Sequence, residues 1–188
     1  IILSAIFAPL LAPMDPYQSS MLNRLKPIGY KDFILGTDEL GRDILSRILY
    51  GGRISLTMGI LPVFIATVIG GLLGIIAGFV GGRTNMTIMR IMDVFYAFPS
   101  ILLAVAISGA LGGGIFNGMM SLTLVFIPPL CRVAETATSQ VRNLDFVEAA
   151  RATGASTFSI IRVHILGNVL GPILIYSSSL VSVSILIA

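Results

Sequence analysis

The chain has 188 residues, of which 55% are hydrophobic and only 11% charged, with a formal net charge of +3 and a mean hydropathy of +0.96. A soluble domain carries about 25% charged residues, so this chain has too few to cover a water-facing surface and reads as an integral membrane protein. Its basic residues are dispersed rather than clustered, which excludes a nucleic-acid binder working through a basic patch.

Residues 1–13 read as the end of a first span, closed by Pro9 and Pro13. They lack the basic n-region and the A-x-A site of a signal peptide. Both ends of the chain are apolar, so a fragment cut inside two spans is expected. Residues 14–53 are polar and form an extramembrane loop. Within it Leu40, Ile44, Leu45, Ile48 and Leu49 recur at helical spacing, which predicts an amphipathic helix over Asp38 to Tyr50 at the membrane interface. Residues 54–82 carry no charge and outrun the ~20 residues a span needs, so a tilted second span is expected. Gly70, Gly74 and Gly78 lie four apart in it, spacing that lets another helix backbone approach, from this subunit or from a neighbour.

Residues 83–93 read as a short turn in which Arg90 and Asp93, three apart, pair. The uncharged run Val94 to Cys131 is too long for one span, and Gly112-Gly113-Gly114 divides it. Third and fourth spans over 94–110 and 116–132 follow, kinked at Pro99, Pro128 and Pro129. A polar loop, 141–168, separates them from a fifth span over 169–188.

That loop holds most of the charge found after Asp93. Asp145 followed by Glu148 has the D-x-x-E form of a capping box, predicting a short helix from Phe146 to about Thr153. Gly154 should end it in the left-handed conformation. Ser156 should cap a second helix carrying Phe158, Ile161 and Ile165 on one side. The expectation is a helix–glycine–helix elbow emerging from the membrane. Its side is not set by charge, because the basic residues divide equally between the two faces, Arg24, Lys26, Lys31, Arg42, Arg47 and Arg53 against Arg83, Arg90, Arg132, Arg142, Arg151 and Arg162.

Gly36 to Gly41 has the glycine spacing of a phosphate loop, but Arg42-Asp43 stands where Lys and Ser/Thr would be, so this chain is not expected to hydrolyse ATP. No G-x-S-x-G elbow accompanies the many serines. Cys131 has no cysteine to pair with, and His164 has no Cys or His beside it to make a metal site. The absence of a row of intramembrane carboxylates argues against a proton-coupled carrier.

Glu148-Ala149-Ala150, then Gly154, Ile161, His164-Ile165-Leu166 and Asn168, resembles the EAA loop of ABC-importer permeases. Gly36-Thr37-Asp38, Gly41-Arg42-Asp43, Ser46-Arg47, Gly51 and Arg53 to Leu56 resemble the segment before the second span in the C-type subunit of the dipeptide/oligopeptide/nickel branch. The resemblance implies an all-α, polytopic transmembrane helical bundle of six spans in a bacterial or archaeal plasma membrane. Residues 14–53 then face outward, and 141–168 form a cytoplasmic EAA coupling loop.

It further implies a permease subunit of a peptide, nickel or related small-solute importer. The partners are a second permease in a heterodimer, two ATP-binding subunits that bind ATP and Mg, and an extracytoplasmic solute-binding protein. This chain itself would bind no cofactor or metal and catalyse nothing. Glu148, Ala149, Ala150, Arg151, Gly154, His164, Leu166 and Asn168 would couple to the ATPases, with Glu148 and Arg151 making polar contacts. Leu166-Gly167 departs from the Leu-Pro the family leads one to expect. The competing reading is a secondary carrier or channel without an ATPase, and a third is a structural scaffold.

Overall fold

The computed structural model describes residues 2–187 and divides within one long helix into two units, up to Thr57 and from Met58 onward. Among the described residues there are helices and two isolated bridges but no strand.

In the first unit, α1 (Ile2–Ile6) and α2 (Ala8–Leu11) lead to Pro13, and helix α3 (Ile44–Val80) begins at the far end of a long loop. The amphipathic helix expected from Asp38 and the second span expected from residue 54 are instead parts of α3. The reason is local. Asp43 Oδ2 accepts hydrogen bonds from Ser46 N at 2.8 Å and Ser46 Oγ at 2.6 Å, so Asp43 caps the helix. Residues 38–43 are held in a turn by Gly41 at φ +73°. No proline or cap interrupts the chain from Ile44 to Ile54, and Thr57 Oγ1 donates to Arg53 O within the helix.

In the second unit, α3 ends at Gly81 and Gly82, both at positive φ. Then come α4 (Gly82–Tyr96), α5 (Ser100–Leu111), α6 (Ile115–Val141), α7 (Asp145–Ala152), α8 (Thr157–Ile160), a π turn (Ile161–Ile165) and α9 (Leu166–Ile187). Three helical runs are long and apolar enough to cross a membrane, Ile44–Val80, Ile115–Val141 and Thr157–Ile187. The pair α4–α5 is a fourth if its two halves count as one span, bent by 83°.

That pair corrects the expectation of a short turn followed by a third span over 94–110. α4 is a helix of 15 residues, and the break falls at Ala97–Phe98. Pro99 has no N–H and disfavours helical backbone at Phe98. The helix that holds the expected fourth span likewise continues past residue 132 to Val141, and its polar end has partners within the unit. Asn85 Nδ2 donates to Glu135 Oε1 at 2.6 Å, and Arg142 donates to Gly78 O at 3.0 Å. The helix that holds the expected fifth span begins before residue 169, since the π turn joins α8 to α9 without a break and Gly167 lies inside α9.

The core of this unit joins Val63, Ala66 and Phe79 of α3 to Leu130 and Ala134 of α6 and Val169 and Ile173 of α9. Gly70, Gly74 and Gly78 are what allow it. A Cβ at these positions would stand 2.7 Å from Ile127 O, 2.3 Å from Cys131 O and 2.7 Å from Glu135 O. The small-residue stripe therefore serves packing of α3 on α6 inside this chain. Asp93 does not pair with Arg90. Its partner is Arg132 of α6. A pair three apart on one helix is worth only a few tenths of a kcal/mol, so little holds Asp93 to Arg90.

Candidate functional site: a glycine-terminated elbow

The elbow forms as a helix–glycine–helix unit. α7 buries Val147 completely and Ala150 nearly so, and leaves Glu148, Ala149 and Arg151 exposed. The expected capping box is absent. The N-cap is Leu144, which makes no side-chain cap bond, and Asp145 is the first helical residue. Asp145 and Glu148 instead lie in the first turn, where the helix dipole favours negative charge.

The end of α7 satisfies its carbonyls in a Schellman turn. Gly154 N donates to Arg151 O at 3.0 Å and Ala155 N to Ala150 O at 3.1 Å, with Gly154 at φ +80°. Thr153 Oγ1 adds a bond to Ala150 O at 2.9 Å. Ser156 caps α8, its Oγ accepting from Ser159 N at 3.3 Å. The second helix turns differently from its predicted face. Ile160 and Ile165 are buried, while Phe158 is 72% exposed. The π turn at Ile161–Ile165 supplies the rotation that a regular period misses.

His164 is half-buried, with its ring centroid 6.1 Å from that of Phe146, and its carbonyl accepts from Asn168 Nδ2 at 2.7 Å. Leu166 packs at the edge of the core. Arg151 stacks over Phe79 at 5.3 Å, so its guanidinium already has an aromatic partner within the chain. The exposed residues of the elbow are mixed in character, Glu148 together with Leu144, Phe146, Phe158 and Val163. The elbow can dock a groove that offers apolar walls and a positive or hydrogen-bonding rim.

The second motif, in the first unit, is a closed network. Thr37 Oγ1 donates to Asn23 O and accepts from Lys26 N at 2.8 Å. Asp38 Oδ1 accepts from Leu40 N and Arg42 N, each at 2.9 Å. Asp38 Oδ2 accepts from Arg42 Nε at 2.8 Å and also pairs with Arg47. Ser46 Oγ accepts from Met14 N at 3.2 Å, tying the loop's start to its end. Gly36 and Gly41 are required, since a Cβ would lie 2.4 Å from Lys26 O and 1.8 Å from Ser20 O. The turn that resembles a phosphate loop thus has its amides filled by the chain's own carboxylate.

Burial pushes the Asp38 carboxyl up, but the Arg42 and Leu40 amides and the two guanidiniums outweigh it and hold the group well below its ordinary 3.8. A depressed carboxylate stabilises the folded loop above about pH 4, and that stabilisation disappears as pH falls through the lowered value. Hydrogen-exchange protection of the Leu40 and Arg42 amides, corrected for intrinsic rates, should therefore fall from about pH 5 to about pH 3. Asp38→Asn should give low protection with most of that pH dependence gone. A variant that follows the wild-type curve would show that another group carries it.

Residues 70–187 match the family described as "Binding-protein-dependent transport system inner membrane component". Similar proteins include the di/tripeptide transport system permease protein DppC of Pseudomonas aeruginosa, 40% identical over 99% of this chain and 63% of that protein. The probable D,D-dipeptide transport system permease protein DdpC of Escherichia coli is 41% identical over 100% of this chain and 62% of its own length. The glutathione transport system permease protein GsiD of Pectobacterium atrosepticum is 38% identical over 98% and 61%. The chain thus spans a little over three-fifths of the length of these curated relatives. With its helical membrane architecture and the matched residues from Gly70 to Ile187, the chain belongs to the family of binding-protein-dependent transport system inner membrane components.

Proposed function

We propose that this chain is the membrane-spanning permease subunit, of C type, in an ABC importer for peptides or related small solutes, and that the α7–α8 elbow couples it to an ATPase. The observation that carries the reading is the elbow itself. It is a rigid, Schellman-terminated helix with Glu148 and apolar residues exposed, packed by Val147 and Ala150 onto the core of a helical membrane unit. Such a helix fits a groove on a soluble partner. Because Ile160, Ile165 and Val169 are buried in one continuous run with α9, a push on the elbow is delivered to a candidate span.

In this reading ATP and Mg bind on two partner ATPases, a second permease completes the path, and a solute-binding protein delivers cargo at the outer face. Residues 141–168 lie in the cytoplasm and residues 14–53 outside. Glu148, Ala149, Ala150, Gly154 and His164 form or support the docking surface. Arg151 braces α7 on Phe79, and Leu166 and Asn168 hold the junction with α9. The peptide class is suggested by the dipeptide and glutathione permeases to which the chain is similar.

The test is transport by the full-length chain with its partner subunits in proteoliposomes. Dialanine uptake should require ATP, both ATPases and the loaded binding protein. Uptake driven by an ion gradient in their absence would establish a secondary carrier instead.

A further inference from the structure

Two arginines bracket α7 in the sequence, and both reach the same end of α3. Arg142 lies three residues before α7, and its Nη1 donates to Gly78 O at 3.0 Å across a separation of sixty-four residues. Arg151 lies in the last turn of α7, over the ring of Phe79 and 5.3 Å from its centroid. Phe79 also shares one buried cluster with Val147 and Ala150 of α7.

That end of α3 suits a cation. The last four carbonyls of a helix lack partners within it, and they carry the negative end of its dipole. α3 ends at Val80, so Gly78 O is one of them. The carbonyl before it, Ala77 O, accepts from Asn85 Nδ2 of α4 at 3.3 Å, and the same amide group donates to Glu135 Oε1 of α6 at 2.6 Å. Gly81 leaves room for the guanidinium, since a Cβ there would overlap Arg142 Nη1. Arg142 is also the C-cap of α6, its backbone N donating to Thr138 O at 2.9 Å. Its backbone thus closes α6, while its side chain ties the approach to the elbow to α3.

We propose that Arg142 and Arg151 clamp the elbow to the end of α3, and that Arg142 is a positioning residue through which movement of α7 reaches α3 as well as α9. The proposal rests on the coupling role given to the elbow above. Loss of the Arg142 guanidinium leaves α7 intact, because the bonds that end it, from Gly154 N and Ala155 N, use no arginine side chain. Glu148 stays exposed for a partner. What is lost is the link, so displacement of α7 is absorbed at the loosened corner and α3 no longer follows. The expected defect is slippage, in which ATP is still hydrolysed and less solute moves per ATP.

The experiment measures dialanine uptake and ATP hydrolysis on one preparation of the assembled transporter in proteoliposomes. In Arg142→Gln, dialanine moved per ATP should fall at least threefold while hydrolysis stays within twofold of wild type. Arg142→Lys keeps a cationic donor for Gly78 O and should return the ratio to within twofold. Arg83→Gln removes an exposed cation from the first turn of α4 and should match wild type. An unchanged ratio in Arg142→Gln overturns the clamp, as does an equal loss in Arg83→Gln.

Where Arg142→Gln fails to assemble, spin labels on Val80→Cys and Ala152→Cys decide the matter. Both positions are exposed, at the ends of α3 and α7, and Cys131 is buried. With the clamp intact, their separation should stay within about 2 Å when ATP is added, the size of a packed-helix shift. A larger change overturns the clamp. Uptake driven by an ion gradient without the ATPases overturns the coupling reading and the clamp together. ATP-driven uptake with the same dialanine per ATP in Arg142→Gln overturns the clamp alone.

Discussion

Gly154→Val should cut ATP-driven uptake more than tenfold while the chain still inserts and assembles, and Gly154→Asn should stay within about threefold of wild type. The geometry sets both halves of this result. Gly154 has φ +80°, and nothing lies within 4 Å of where a Cβ would be. A side chain there therefore meets no steric wall, and only the backbone conformation resists it. Left-handed backbone costs an ordinary L-residue roughly 1–2 kcal/mol, and a β-branched residue more, while asparagine tolerates it.

That cost falls on two hydrogen bonds, Gly154 N to Arg151 O and Ala155 N to Ala150 O, and so on the angle between α7 and α8. The core beneath the elbow, with Val147, Ile160 and Ile165, does not depend on the side chain at residue 154. A helix that docks in a partner's groove loses transmission when its angle is wrong, although the span behind it stays folded. Uptake and membrane assembly measured on the same preparation separate the two effects. Valine with normal uptake would remove the elbow from the coupling path.

The features legible in the sequence were those with a local conformational cause. Gly154, Ser156 and the Gly112 to Gly114 break each act within a turn or two, and each appears where its residue type places it. The expected capping box at Asp145 is absent because helical backbone begins at Asp145 itself, one residue too early for it to cap. The loop motif was visible by its spacing, but its closure was not, because the helical spacing that begins at Asp38 masked the turn in which that carboxylate accepts from the Leu40 and Arg42 amides.

What the sequence hid depends on distant chain. The partner of Asp93 sits thirty-nine residues away on another helix, so proximity on one helix suggested Arg90 instead. The merger of the expected interfacial helix with the second span needed only the absence of a breaker, and Gly51-Gly52 does not break a helix held at both ends. The rotation that exposes Phe158 comes from a π turn, which has no compositional signature.

Gly74→Val should abolish accumulation of folded protein, to less than about a tenth of wild type, and Gly74→Ala should lower the melting temperature by several degrees. A Cβ at Gly74 would lie 2.3 Å from Cys131 O, 2.6 Å from the Ala134 Cβ and 2.9 Å from Glu135 N. Two of these atoms belong to the α6 backbone and cannot swing aside, so the helices must separate. Leu130, Cys131 and Ala134 are fully buried at this seam and would lose their contacts together. In a membrane no hydrophobic term offsets that loss, because lipid is as apolar as the core and packing itself drives association. Overpacking of about 2 kcal/mol for alanine corresponds to a shift of about 4–8 °C in a chain of this size. Gly71→Ala is the control from the same helix, since its Cβ would meet only Ile173 Cδ1 at 4.0 Å. The two alanine variants should therefore differ by most of the shift. Equal melting temperatures would show that α3 and α6 are not held at the distance the glycines permit.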